Sequence, residues 1–179
     1  AAYIVLATLS APAIAGMIAD REVIAAIAEG ALPQQAQAIF MLGAPEALPR
    51  LAAPMPLDEA RALVASLPIE VAQPLRDMVV SPEAATVALL SAHMIIFWLS
   101  QDSNVTPPVA LAAFTAAAIA KAPAMATGVA SWKLAKGLYI VPVLFAYTPF
   151  LSGDVGAALW VFGFGVVGIY GLSAALAGA

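Results

Sequence analysis

The sequence of 179 residues contains no cysteine, one histidine and few charged residues. Without cysteine, the chain can form neither a disulfide nor a thiolate metal site. A single histidine argues against a histidine-based metal cluster and against a Ser-His-Asp triad. Charged residues make up only 10% of the chain and apolar residues 63%, whereas soluble domains have about 25% charged residues. So little charge excludes a water-soluble enzyme, and so much apolar content excludes a disordered chain.

Basic residues are scarce as well. Seven Lys and Arg stand against eleven Asp and Glu, giving a net charge of −4, and the absence of a basic run excludes a nucleic-acid-binding protein. What remains is an integral membrane protein or part of one. The scattered acids and the lone histidine offer no paired catalytic geometry, so we predict that the chain is not an enzyme and has no organic cofactor.

The N-terminus lacks the basic segment and the cleavage site of a signal peptide. The chain starts with Ala1 rather than Met, inside an apolar run that continues to residue 19. We therefore interpret the sequence as a fragment of a longer membrane protein.

Charge is concentrated in one stretch of the chain. Residues 20–83 hold thirteen of the eighteen charged residues, with a balance of −5, and eight of the fourteen prolines. Leu57, Ala60, Val64 and Leu67 recur at helical spacing there. This pattern predicts a small extramembrane insertion of short helices, and packing on itself is a better explanation for it than direct substrate chemistry.

The rest of the chain is divided into apolar segments. The prediction is an all-α polytopic membrane protein fragment with a discontinuous transmembrane helix and a small helical extramembrane insertion. Only the last apolar segment clearly reaches the roughly 20 residues that a simple span needs. The predicted segments are an apolar membrane helix at 1–19, the insertion at 20–83, a broken transmembrane helix at 84–120, an amphipathic interfacial helix at 121–136, and transmembrane helices at 137–153 and 155–179.

The break in 84–120 is predicted from a polar cluster followed by two prolines. Five of the six residues 101–106 are polar, and Pro107 and Pro108 follow. The prolines cannot continue the first helix, and they suit the first turn of the second. We expect a non-helical segment within about 101–108. Irregular backbone at membrane depth persists only inside protein or beside a watery cavity, as in the substrate and ion sites of transporters. The alternative is an extramembrane loop between two short spans.

The charges on either side of this broken helix indicate that it crosses the membrane once. The segment before it is acidic, whereas Lys121, Lys133 and Lys136 follow it without an acid. Lysine and arginine favour the cytoplasmic side. We therefore expect 20–83 and 121–136 to lie on opposite sides of the membrane, whereas a hairpin would place both on one side.

Two stretches of sequence are recognisable. They closely resemble the C-terminal part of the permeases of tripartite ATP-independent periplasmic (TRAP) transporters. The two stretches are HMIIFWLSQDSNVTPPVALAAFTAAAIA and PAMATGVASWKLAKGLYIVPVLFAYTPFL. The best match is the fused small-plus-large type that works with TAXI-class binding proteins. AAYIVLATLSAPAIAG resembles the outgoing arm of that family's second re-entrant hairpin. The resemblance covers about 1–18 and 84–153, and TPPVALAAF is its specific core.

The resemblance implies an elevator-type secondary transporter of the bacterial inner membrane, driven by a Na⁺ gradient. A periplasmic TAXI-type solute-binding protein would deliver an organic acid, such as a dicarboxylate or an amino acid. The remainder of the fused permease and the lipid bilayer would be the other partners. The competing hypothesis is a non-transporting membrane scaffold or assembly subunit, with 20–83 as a docking domain.

The same resemblance assigns candidate residues around the break. Carried over by position, the ion- or substrate-site candidates are Ser103, Asn104, Val105 and Thr106, and Pro107 and Pro108 shape the break. Asp102 is a further candidate on its own chemistry, because an acid between apolar membrane segments is expected to be functional. Asn104 and Thr106 are the candidate Na⁺ ligands, and Asp102 would add negative charge nearby. Two departures from the family pattern are the long insertion at 20–83 and the absence of the hairpin tip that would precede Ala1.

Overall fold

The computed structural model of the chain describes residues 2–51 and 53–177. In that part it contains α-helices, two short 3-10 helices and no strand, which confirms the predicted all-α class. The chain divides into two compact units, one of Ala1–Ala11 with Leu90–Ala179 and the other of Pro12–Leu89.

The helices follow one another with short connections. The 3-10 helices are Pro45–Ala47 and Pro149–Leu151. The α-helices are α1 (Ala2–Ala28), α2 (Gln34–Gly43), α3 (Leu57–Ser66), α4 (Ile69–Val79), α5 (Pro82–Asp102), α6 (Leu111–Ala120), α7 (Ala124–Leu134), α8 (Gly137–Tyr147) and α9 (Val155–Ala177).

Within the described residues, four segments are long and apolar enough to cross a membrane, which confirms the polytopic architecture. They are Tyr3–Ala28, Pro82–Asp102, Ala124–Tyr147 and Val155–Ala175. α6 has only 10 residues, or about 15 Å of helix. Because a bilayer core is about 30 Å thick, α6 cannot cross it alone.

The first helix is longer than expected. We predicted that the membrane helix ends at residue 19, but α1 continues without interruption to Ala28. Its last turns carry Val23 and Ile27, which are fully buried in the core of the Pro12–Leu89 unit. Tertiary packing therefore extends the helix into the charged stretch, where we had expected a separate short helix.

The Pro12–Leu89 unit has a hydrophobic core of its own. α2 packs against α4, with Phe40 and Leu75 buried between the helices. Gly43 lies so close to Val71 that a Cβ at Gly43 would overlap its side chain. The predicted stripe on α3 is confirmed at Ala60 and Val64, which are both buried, and it is wrong at Leu57, which is exposed in the first turn of the helix. The insertion is thus a small packed helical unit.

The segment at 121–136, which we predicted as an interfacial helix, belongs in the structure to a longer stretch of membrane-spanning length. α7 covers most of it, and only Ala135 and Lys136 separate α7 from α8. Together they form the apolar stretch Ala124–Tyr147. α6 packs on α7, and α8 packs on α9, so α7 and α8 connect the break region to the C-terminal helix.

Candidate functional site

The predicted helix break lies between Asp102, where α5 ends, and Leu111, where α6 begins. The expected limits were slightly wrong, because Gln101 and Asp102 complete the last turn of α5. We expected Pro107 and Pro108 to form the first turn of α6. They are joined by a cis peptide bond and lie before α6, which begins at Leu111. A proline disfavours the helical conformation of the residue before it, and α6 begins only after the left-handed N-cap residue, Ala110.

On the α5 side, backbone N–H groups of the break donate hydrogen bonds to carbonyls in the last turn of α5. The N–H groups of Val105 and Thr106 both donate to the carbonyl of Asp102, at 3.1 and 3.0 Å. The N–H of Asn104 donates to Gln101 at 3.0 Å, and that of Ala110 donates to Thr106 at 3.0 Å. These turns keep the polar residues close to the end of α5.

On the α6 side, the carbonyl of Asn104 caps the helix. It accepts hydrogen bonds from the N–H groups of Ala112 at 3.0 Å and Ala113 at 3.5 Å. The first N–H groups of a helix have no partner within it, so this carbonyl satisfies two of them. Within the part of the chain that the structure describes, no backbone hydrogen bond reaches the carbonyls of Ser103, Val105, Pro107, Pro108 and Val109.

Side chains form a hydrogen-bonded chain that ends at Asp102. Thr106 Oγ1 donates to Asp102 Oδ1 at 2.8 Å and lies 3.1 Å from Tyr139 Oη. Trp132 Nε1 donates to Tyr139 Oη at 3.0 Å. Because a hydroxyl has a single proton, and that of Thr106 points to Asp102, Tyr139 is the donor to Thr106. The donors therefore run from Trp132 through Tyr139 and Thr106 to the carboxylate.

Helix α7 lies directly on the break. A Cβ at Gly128 would be 3.2 Å from Pro107 Cγ and 3.0 Å from Phe114 Cε1. Gly128 therefore permits a close approach of α7 to the proline bend and to α6. Ala110, between them, is fully buried and has a φ of 32°. An L-residue in this left-handed conformation costs roughly 1–2 kcal/mol, so the surrounding packing must hold it.

The structure places the candidate residues in different environments. Asp102 and Thr106 are half-buried and bonded to each other. Asn104 and Val105 are half-buried, whereas Ser103 is exposed and donates to the Ser100 carbonyl at 3.3 Å. Val105 can offer only its carbonyl as a ligand.

The sequence did not reveal Gly128, Trp132 and Tyr139 as neighbours of the break. None of the three is among the candidate residues that the sequence indicates. Gly128 and Trp132 are spaced four apart on α7, which places them on one helix face. That spacing is visible in the sequence, but contacts with residues about 20 to 30 positions away are not.

The single histidine, His93 on α5, has a partner within its own unit. Its Nδ1 lies 2.9 Å from the hydroxyl of Tyr3. The described residues contain no group of three or more His, Asp or Glu side chains that could hold a metal ion. The oxygens of the break are instead carbonyls, hydroxyls and one carboxylate, the ligand type that hard cations prefer.

A family model matches most of the chain. Residues 1–151 match the model described as the DctM component of the tripartite ATP-independent periplasmic transporter. The match includes the insertion, the break and α8, whereas α9 lies beyond it. No curated protein and no solved structure matches the chain.

Proposed function

The chain belongs to the DctM-component family of tripartite ATP-independent periplasmic transporters, and we propose that it is the C-terminal part of a Na⁺-coupled permease. The family and the four membrane-length helices make it a multi-pass protein of the bacterial inner membrane and part of a transporter. The finer proposal is a fused, TAXI-associated permease that imports an organic acid by an elevator-type movement. A periplasmic solute-binding protein would deliver the dicarboxylate or amino acid.

The observation that carries Na⁺ coupling is the helix break at 103–110. It leaves backbone carbonyls without a backbone partner beside the Asp102 carboxylate. Unsatisfied backbone groups cost several kcal/mol each at membrane depth, and a hard cation bound by oxygen atoms would offset that cost. Broken helices in secondary transporters bind coupling ions in this way.

The hydrogen bonds limit which oxygens are available to an ion. Thr106 Oγ1 donates to Asp102 and accepts from Tyr139, which leaves one lone pair. The Asn104 carbonyl already caps α6, so a contribution from Asn104 would come from its side-chain amide oxygen. We propose that Asn104, Thr106 and the carbonyls of the break form the protein's share of a Na⁺ site, with Asp102 adding charge.

A membrane scaffold or assembly subunit is the competing function. It is favoured by one observation, namely that the Pro12–Leu89 unit has its own hydrophobic core and could act as a docking domain. The two functions differ in whether the protein moves solute across the membrane.

Uptake by the reconstituted full-length parent distinguishes the two. The parent would be placed in proteoliposomes and supplied with its solute-binding protein and a panel of dicarboxylates and amino acids. We expect uptake under an inward Na⁺ gradient, little uptake under an equal K⁺ gradient, and a loss of uptake without the binding protein. A scaffold would show none of these differences.

A further inference from the structure

We propose that Gly128, Trp132 and Tyr139 form a clamp, defined by these three residues, that holds the helix break in its ion-binding geometry. The clamp residues are positioning residues and not ion ligands. Gly128 and Tyr139 contact the break, and Trp132 donates to Tyr139. This inference rests on the proposed Na⁺ site, and it assigns a role to the joint between α7 and α8.

The first contact of the clamp is steric. Gly128 on α7 faces Pro107, the bend of the break, and Phe114 in the second turn of α6. A Cβ contact of 3.0–3.2 Å is tighter than ordinary van der Waals packing, in which carbon atoms are about 3.5–4.0 Å apart. A larger residue at position 128 would therefore push α7 away from the proline bend.

The second contact is the hydrogen bond from Tyr139 to Thr106. Tyr139 lies in the first turn of α8, and its hydroxyl receives the indole N–H of Trp132, near the end of α7. These two side chains span the turn at Ala135 and Lys136. The joint thus presents one oriented O–H group to Thr106, and it leaves the Thr106 proton directed at Asp102.

The two contacts fasten the break at separate points. Gly128 and Trp132 are one turn apart on the same face of α7, and they act on Pro107 and, through Tyr139, on Thr106. Removing the Tyr139 hydroxyl would leave Thr106 Oγ1 held by Asp102 alone, so the threonine would leave this rotamer more often. Ion binding would then have to order the threonine, and the apparent affinity for Na⁺ would fall.

Uptake measured against Na⁺ concentration in the full-length parent tests the clamp. Tyr139→Phe should raise the half-saturating Na⁺ concentration about 2- to 12-fold, the range that one hydrogen bond supports, with the maximal rate largely retained. Gly128→Ala should raise it as well. The controls are Tyr170→Phe on the exposed face of α9 and Gly168→Ala, where an added Cβ meets nothing within 4 Å.

A double-mutant cycle separates positioning from a general structural role. In a Thr106→Val background the hydroxyl that Tyr139 holds is absent, so adding Tyr139→Phe should change the Na⁺ dependence little further. Equal effects of Tyr139→Phe in both backgrounds would overturn the proposed route through Thr106. Trp132→Phe, which removes only the N–H donor, should give a smaller shift in the same direction as Tyr139→Phe.

The outcomes distinguish this inference from the function it rests on. Uptake by the unaltered parent that is independent of Na⁺ would overturn both. Na⁺-dependent uptake that Tyr139→Phe and Gly128→Ala leave at the level of their controls would overturn the clamp alone. If Gly128→Ala does not accumulate in the membrane, Tyr139→Phe and the cycle still decide.

Discussion

Arg76 and Asp20 form a two-bonded ion pair that fastens α4 to α1 within the Pro12–Leu89 unit. Arg76 Nε donates to Asp20 Oδ1 at 2.6 Å and Nη2 donates to Oδ2 at 2.9 Å. Both side chains are about four-fifths buried, with 20% and 18% of their surfaces exposed. The guanidinium also lies across Gly16, where a Cβ would be 2.9 Å from Nη1. Gly16 and Asp20, one turn apart on α1, therefore form the surface that binds the Arg76 guanidinium.

The hydrogen bond to Asp20 raises the pKa of Arg76 above its ordinary value. A raised pKa means that the stabilisation is complete below the unfolded-state pKa and is lost only as the pH rises past the folded-state one. Both values lie far above neutrality for arginine. Arg76 is therefore charged at every pH at which the protein works.

Removing this guanidinium should destabilise the unit. We expect Arg76→Ala to cost about 1.5–3 kcal/mol, the range for hydrogen bonds to charged groups, because the Asp20 carboxylate is left partly buried. Thermal unfolding of the purified parent measures the change. Arg50→Ala is the matched control, since its ion pair with Glu59 is exposed and should contribute no more than about 1 kcal/mol. Equal losses of stability in both variants would refute the stabilising role of the ion pair between Arg76 and Asp20.

The orientation of the insertion can be tested by cysteine labelling, because this chain has no cysteine of its own. Single cysteines would replace Arg50 in the insertion and Lys121 between α6 and α7. The acidic balance before the break and the lysines after it predict that a membrane-impermeant thiol reagent modifies position 50 and not position 121 in intact cells. Labelling of position 121 alone would mean that the orientation is reversed, and labelling of both would favour a hairpin.

The left-handed residue before α6 should tolerate only small side chains. Ala110 is fully buried with a positive φ, and a β-branched residue is costly in that conformation. Ala110→Val should therefore lower the free energy of unfolding by about 1–3 kcal/mol and strongly reduce the amount of folded protein in the membrane. Ala116→Val, at an exposed position in the middle of α6, is the control and should lose only about 0.5 kcal/mol of helix propensity. Similar expression of the two variants would contradict a constrained position 110.

Local sequence signals predicted the elements that depend on local chemistry. The tandem proline after a polar cluster predicted the break to within about two residues, because proline restricts its own backbone and that of the preceding residue. The apolar spacing on α3 predicted the buried faces of Ala60 and Val64. The uncharged run after Asp154 predicted α9, whose Gly156 and Ala157 N–H groups are capped by the Asp154 carboxylate.

Features that depend on tertiary packing could not be predicted in this way. The charged residues 20–22 indicated the end of the membrane segment and were taken for the end of the helix, but burial of Val23 and Ile27 continues α1 to Ala28. The ion pair between Asp20 and Arg76 joins residues 56 positions apart. The hydrogen bond between Thr106 and Tyr139 joins residues 33 positions apart. No local periodicity encodes such pairs.

We expect Na⁺ to bind at the helix break, and ion-specific stabilisation of the fold tests this without knowledge of the substrate. A ligand that binds only the folded state stabilises it by RT ln(1 + [L]/Kd), which is about 2.7 kcal/mol at 100 times Kd. Thermal unfolding of the purified full-length parent would be compared in NaCl and in KCl of equal concentration. We expect a higher Tm in NaCl than in KCl, and a smaller difference between the salts for Thr106→Val and for Asn104→Ala.

Thr115→Val is the matched control for that measurement, because the Thr115 hydroxyl only donates to the Leu111 carbonyl of its own helix, at 2.9 Å. It should retain the full difference in Tm between NaCl and KCl. Unfolding of the unaltered parent at the same temperature in both salts would show that Na⁺ does not bind the folded protein specifically. A difference that is unchanged in both Thr106→Val and Asn104→Ala would place the Na⁺ site elsewhere in the protein.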